Sequence, residues 1–133
     1  MKKFLLLSLI ISSAAFAAFK DGTYTKNVSK PKKDIVWTSE ISIVVKDGKI
    51  VDAILTNKND KGVDKAKDVE YNQKWMAASN IDFNLFTKKF AENLIATQDP
   101  DKIDTIVGAT HATQQYKELA KEALKEAKAS CCQ

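Results

Sequence analysis

Apolar and polar positions alternate from Ile35 onward. Ile35, Trp37, Ile41, Ile43 and Val45 fall on one face, and Thr38, Glu40, Ser42 and Lys46 fall on the other. A period of two marks a half-buried strand. Asp47-Gly48 interrupts the alternation, and the β-branched run from Ile50 to Leu55 follows it. An Asp-Gly pair between two such runs predicts a tight hairpin. Upstream, Asp21-Gly22-Thr23-Tyr24-Thr25 reads as a turn leading into a short strand, followed by a lysine-rich loop around Pro31.

The period then changes. Residues 57–67 are polar and contain Gly62, which predicts a loop. Asp68 to Ala78 is a weaker helical stretch that brings Tyr71, Trp75 and Met76 close together. Ser79 to Asp82 reads as a helix opening, and Phe83, Phe86, Phe90 and Leu94 recur at helical spacing after it. That stripe reads as core. Pro100 ends the helix near Gln98, because proline disfavours helical geometry in the residue before it.

Ile103 to Val107 is expected to be a short apolar strand. After it, Gly108-Ala109-Thr110-His111-Ala112-Thr113 leads into a last helix through Ala129, with Ala112, Tyr116, Leu119, Ala123 and Ala127 buried. The order strands, helices, strand, helix predicts an α+β fold: a small antiparallel sheet with helices packed on one side.

Composition narrows the class. A chain of 133 residues suffices for one domain, and 44% hydrophobic with 29% charged residues is ordinary for a soluble one. Met1-Lys2-Lys3, the apolar run Phe4 to Phe16 and the ending Ala15-Phe16-Ala17 form a secretory signal peptide over residues 1–17. The run is shorter than the roughly 20 residues a membrane span needs. An exported protein is expected, periplasmic or extracellular and not transmembrane. The organisation is then a signal peptide at 1–17, one domain at 18–129 and a tail at 130–133.

Removing residues 1–17 takes away two lysines and lowers the formal charge from +4 to +2. The basic residues are all lysine and are interleaved with acids, as in Lys65-Ala66-Lys67-Asp68. Readers of nucleic acid rely on arginine forks and dense basic patches, so that class is excluded. Cys131 and Cys132 are adjacent in the tail, which makes no disulfide framework and no haem signature. They read as incidental thiols in a tail, with a vicinal disulfide or a bridge between two chains as the alternatives. His111 is the one histidine, which excludes a histidine-based metal cluster.

The chemistry-bearing segment runs from Asp104 to Thr113. It reads as a strand that ends in a glycine turn and opens a helix. The first amides of a helix lack internal partners, so this junction is a natural seat for phosphate. Gly108 allows close backbone approach and Ala109 keeps it unobstructed. Thr110 and Thr113 offer hydroxyls that can cap the helix or meet the phosphate, and on geometry alone a plain N-cap is the favoured reading.

Asp104 to Thr110 resembles the flavinylation motif of the FMN-binding domain family: Asp, two variable residues, Ser or Thr, then Gly-Ala-Thr. Its members include a subunit of the sodium-pumping quinone reductase, the related electron-transport complex subunit, and exported lipoproteins of flavin-based extracellular electron transfer. Asp21–Tyr24, Val45–Val51, and Glu70–Asn72 followed by Met76 also resemble the extracellular members, so the likeness spans nearly the whole mature chain.

The resemblance implies FMN esterified through its phosphate to Thr110, with Gly108 and Ala109 forming the turn and Asp104 as the motif acid. It implies attachment by an exported flavin transferase that uses FAD. The family's Ser or Thr is Val107 here; the acceptor is retained, and non-covalent FMN is the alternative. An electron carrier rather than a stand-alone enzyme follows, with a membrane or extracytoplasmic donor and acceptor. Tyr71, Trp75 and Met76 are the candidates to receive the flavin ring, Trp37 reads as core, and His111 could meet the phosphate or flank the flavin. A flavin-free exported binding or sensor module is the competing reading.

Overall fold

The computed structural model describes residues 19–128; the expected signal peptide and the Cys131-Cys132 tail lie outside them. Three strands form an antiparallel meander in sequence order: β1 (Gly22–Lys32), β2 (Ile35–Lys46) and β3 (Lys49–Asn59). The Asp47-Gly48 hairpin forms as expected, with φ of 55° and 79°. Two positive φ values give the turn a twist that matches its strands. Ile41, Ile43 and Val45 of β2 are buried beside Ile50, Ala53 and Leu55 of β3. A register shift at Val44/Val45 gives β3 one extra residue, so Ile50 and Ala53 face the same side although three apart.

Two strands are longer than expected. β1 continues through Pro31, where a loop was expected, because every residue from Gly22 to Lys32 has a partner in β2. It is an edge strand, where a proline's missing N–H is tolerated. β3 likewise continues to Asn59, which pairs with Trp37.

Helix α1 (Val69–Ser79) is capped by Asp68, whose carboxylate accepts the Tyr71 amide at 3.0 Å. Helix α2 (Phe83–Thr97) is capped by Asp82, which accepts the Leu85 amide at 2.8 Å. Its stripe of Phe83, Phe86, Phe90 and Leu94 is buried, as the spacing predicts. A single 3-10 turn (Pro100–Lys102) leads toward helix α3 (Thr110–Ala127). α2 lies on β3, and α3 lies across β1 and β2. α3 buries Tyr116, Leu119, Ala123 and Ala127 as expected, and also Thr113, Ala120 and Leu124, while Ala112 is half-buried.

Residues Ile103 to Val107 form no strand. Ile103 and Ile106 are buried three positions apart, while Asp104, Thr105 and Val107 are exposed. A strand would turn residues two apart to one side; this segment is a coil with two apolar plugs. Its backbone is engaged by side chains instead of a sheet, with Lys117 Nζ donating to the Ile103 carbonyl at 3.0 Å.

Two further contacts close the fold. Gln98, at φ 60°, turns its side-chain amide onto the outer edge of β3. Its Oε1 accepts from Ile50 N at 2.7 Å and its Nε2 donates to Ile50 O at 2.9 Å, which covers part of an edge that would otherwise be open to pairing. Phe19 bridges to Lys128, so the two ends of the described chain meet.

Candidate functional site

The segment expected to carry chemistry is held by three buried apolar residues, Ile103, Ile106 and Ala109. The Ala109 amide donates to the Ile106 carbonyl at 2.9 Å and closes a turn over Val107-Gly108. Gly108 has φ 86°, and a Cβ there would stand 2.7 Å from the Ser79 carbonyl oxygen and 2.8 Å from Ser79 Cβ. Only glycine fits: the loop is pressed onto the last residue of α1.

Thr110 and Thr113 have separate tasks. Thr113 is fully buried; its Oγ1 donates to the Ala109 carbonyl at 2.7 Å and accepts from the Ile106 amide at 3.2 Å. Its hydroxyl clips the turn to the helix and lines no cavity at the site. Neither threonine is the N-cap. That position belongs to Ala109, which offers no side-chain bond, so the first amides of α3 have no side-chain cap and favour an anion. Thr110 is the first helical residue, is exposed, and has no hydrogen-bond partner for its hydroxyl among the described residues.

A cavity of about 300 Å³ opens beside Thr110. Gly108 and Ala109 line it from the loop, His111 from the first turn of α3, and Tyr71 and Trp75 from α1. The Tyr71 and Trp75 ring centroids are 5.8 Å apart. Trp75 also meets Phe83 and Phe86, each at 6.2 Å, so its ring joins the cavity wall to the core. Met76 is absent from this wall. One residue past Trp75 is about 100° around the helix, and Met76 lines a separate groove with Val69 and Asn72. Asp104 lies on the exposed side of its coil and lines neither. The structure thus gathers Thr110, Gly108, Ala109, His111, Tyr71 and Trp75, and leaves Asp104, Thr113 and Met76 outside.

A larger cavity of about 730 Å³ adjoins the first, and Asn57, Lys65, Tyr71 and Gln115 line both. Trp37, expected in the core, is half-buried on its wall. Lys65 Nζ lies 5.0 Å from the Trp37 ring centre and 4.8 Å from that of Tyr71, a cation shared by two aromatic faces. Ser39 and Asn57 are cross-strand partners, both buried. Asn57 Nδ2 donates to Ser39 Oγ at 3.1 Å, and Ser39 Oγ donates to Gln115 Oε1 at 3.4 Å. Asn57 Oδ1 is buried with no partner.

Both phenols nearby are held neutral. Burial raises the Tyr71 pKa, with the charge of Asp68 adding to it. Burial also pushes Tyr116 well up, against weaker opposition from the Ser39 and Asn57 side chains; its hydroxyl donates to the Thr56 carbonyl at 2.6 Å. One signal for Ser39 and Asn57 was available in the sequence. Each continues an inward-facing register, Trp37-Ser39-Ile41 and Leu55-Asn57, with a polar residue where an apolar one is the rule.

An uncapped helix start, a free threonine hydroxyl, two aromatic faces, a lysine and an orphaned buried oxygen suit a flat heterocycle carrying a phosphate. These features define a small α+β binding protein for a ligand of that kind. Residues 37–125 match the FMN-binding domain, and the chain belongs to that family. It is 23% identical over 124 residues to a 15 kDa lipoprotein of Treponema pallidum (strain Nichols), covering 93% of this chain and 87% of that one. A crystal structure from Clostridium perfringens shares the fold with a TM-score of 0.75 and 34% identity, over 82% of this chain and 88% of the other. A solution structure from Clostridium thermocellum has a TM-score of 0.54 and 27% identity, over 80% and 91%. Among the described residues, no helix is long and apolar enough to cross a membrane.

Proposed function

We propose that the protein is an exported electron carrier that holds FMN through a phosphoester on Thr110. The position of Thr110 carries the reading: an exposed hydroxyl without a partner, at the first residue of α3, beside a cavity walled by Tyr71 and Trp75. FMN, when bound, supplies the redox chemistry. The chain's own residues do the holding. The first amides of α3 and the helix dipole favour the phosphate charge. Gly108 and Ala109 keep bulk away from it, and His111 stands at the same wall.

Esterification joins Thr110 Oγ to the FMN phosphorus of FAD. The pyrophosphate bond breaks, AMP leaves, and the hydroxyl gives up its proton. An exported transferase is the expected catalyst. Val107, 86% exposed, replaces the motif hydroxyl without touching the acceptor. The pattern of residues 1–17 and the likeness to a lipoprotein support a place outside the cytoplasm, where the electron donor and acceptor would be membrane-bound or extracytoplasmic.

The test is co-expression with a flavin transferase, followed by acid denaturation and mass measurement. A gain of one esterified FMN that disappears in Thr110→Ala supports the proposal. An unshifted mass on a colourless folded protein overturns it. Colour released on denaturation assigns the FMN as non-covalent.

A further inference from the structure

Resting on the FMN reading, we propose that the flavin ring takes the larger cavity, which Trp37 and Tyr71 line, and is anchored there by the buried amide of Asn57. The two cavities divide the ligand between them. The one at Thr110 holds about 300 Å³, at the lower limit for a small-molecule site, and its neighbour holds about 730 Å³. They meet at Asn57, Lys65, Tyr71 and Gln115. A phosphate held at Thr110 leaves the smaller space for the sugar-alcohol chain and the larger for the tricyclic ring.

Two side chains there have no structural account of their own. Trp37 shares its face with Ile41, Ile43 and Val45, yet its indole stays half-buried over the cavity instead of sealed in the core. Aromatic faces in such a place stack on flat rings. Asn57 is more than nine-tenths buried and lines both cavities, and its Oδ1 has no hydrogen-bond partner. Ser39 takes the Nδ2 side of the amide, which leaves the acceptor for an incoming donor. The imide N–H on the pyrimidine edge of a flavin is a donor of that kind. Lys65, between Trp37 and Tyr71, adds positive charge at the same wall.

The experiment uses protein made without a flavin transferase, so that no ester forms. Flavin emission is followed as the protein is titrated with FMN, riboflavin and N3-methylriboflavin, which lacks the imide donor. The unsubstituted protein is expected to quench riboflavin and to bind the methylated analogue at least tenfold more weakly. Asn57→Leu is expected to bind the two equally. Trp37→Ala is expected to lose at least tenfold in affinity, with most of it restored in Trp37→Phe. Met76→Ala, in the separate groove, leaves binding unchanged.

The ratio between the two riboflavins is read within one folded protein, so it does not depend on stability. If Asn57→Leu keeps the ratio of the unsubstituted protein, or Trp37→Ala binds as tightly, the ring seat is overturned and the FMN reading stands. If the unsubstituted protein binds neither FMN nor riboflavin, the ring seat is overturned, and the FMN reading is decided by the mass measurement alone.

Discussion

The two ends of the sheet's inward face share one register and differ in chemistry. Toward the Asp47-Gly48 turn, Ile41, Ile43, Val45, Ile50, Ala53 and Leu55 are sealed into one cluster with Phe86, Phe90 and Leu94. Toward the other end the same face carries Trp37, Ser39 and Asn57, with cavities beside them. The apolar end gains stability from every buried atom. The polar end gives some back, since an unpartnered buried oxygen costs about 1–3 kcal/mol. One face therefore serves two purposes, and the transition from Ile41 to Ser39 marks where packing gives way to binding.

The largest effect belongs at the apolar end. Phe86 is fully buried with its ring 5.8–6.2 Å from those of Trp75, Phe83, Phe90 and Tyr116. Phe86→Ala is expected to cost about 3–5 kcal/mol in denaturant unfolding. A loss below about 1 kcal/mol would erase the contrast between the two ends.

Gly108→Ala comes next, because it forces a side chain onto Ser79 at a positive φ. The expected cost is about 1–3 kcal/mol, with FMN affinity falling alongside as the loop shifts. Stability lost with affinity intact would uncouple the loop from the site.

Asn57→Leu sharpens the comparison from the other side. Leucine removes the orphaned oxygen and also the Nδ2 bond to Ser39; the two offset, so stability is expected to stay within about 1 kcal/mol of the original. The midpoint of urea unfolding decides this. A drop beyond about 2 kcal/mol would make Asn57 a structural residue.

The smallest effect concerns Asp21, whose carboxylate accepts the Gly48 amide at 3.0 Å and ties the start of β1 to the hairpin. That bond, then one from the Asp47 amide, lowers its pKa below the usual 3.8. Stabilisation from a lowered carboxylate is present at neutral pH and lost as pH falls through the folded value. Asp21→Asn is expected to lower Tm slightly at pH 6 and not at pH 2, as thermal melts at the two values would show.

The apolar end was largely legible in the sequence. Alternation placed Ile41, Ile43 and Val45, and helical spacing placed the phenylalanine stripe. The polar end was harder because Ser39 and Asn57 interrupt the periodicity that reveals a face. Trp37 shows that parity gives the side of a sheet and not the depth, since β2 runs on past the core. Ile103 to Val107 was misread because apolar content alone does not separate a strand from two plugs on a coil. Thr110 was singled out by its motif, and the structure places it beside a cavity. Thr113 is one helical turn away, and that turn separates an open hydroxyl from a buried one.

The bridge between Phe19 and Lys128 gives the molecule a polarity. Both ends of the described chain leave from one pole, and Thr110 opens α3 at the other. The 18 residues of that helix put roughly 27 Å between the poles. Thr110 is therefore reached from the side away from both ends of the described chain.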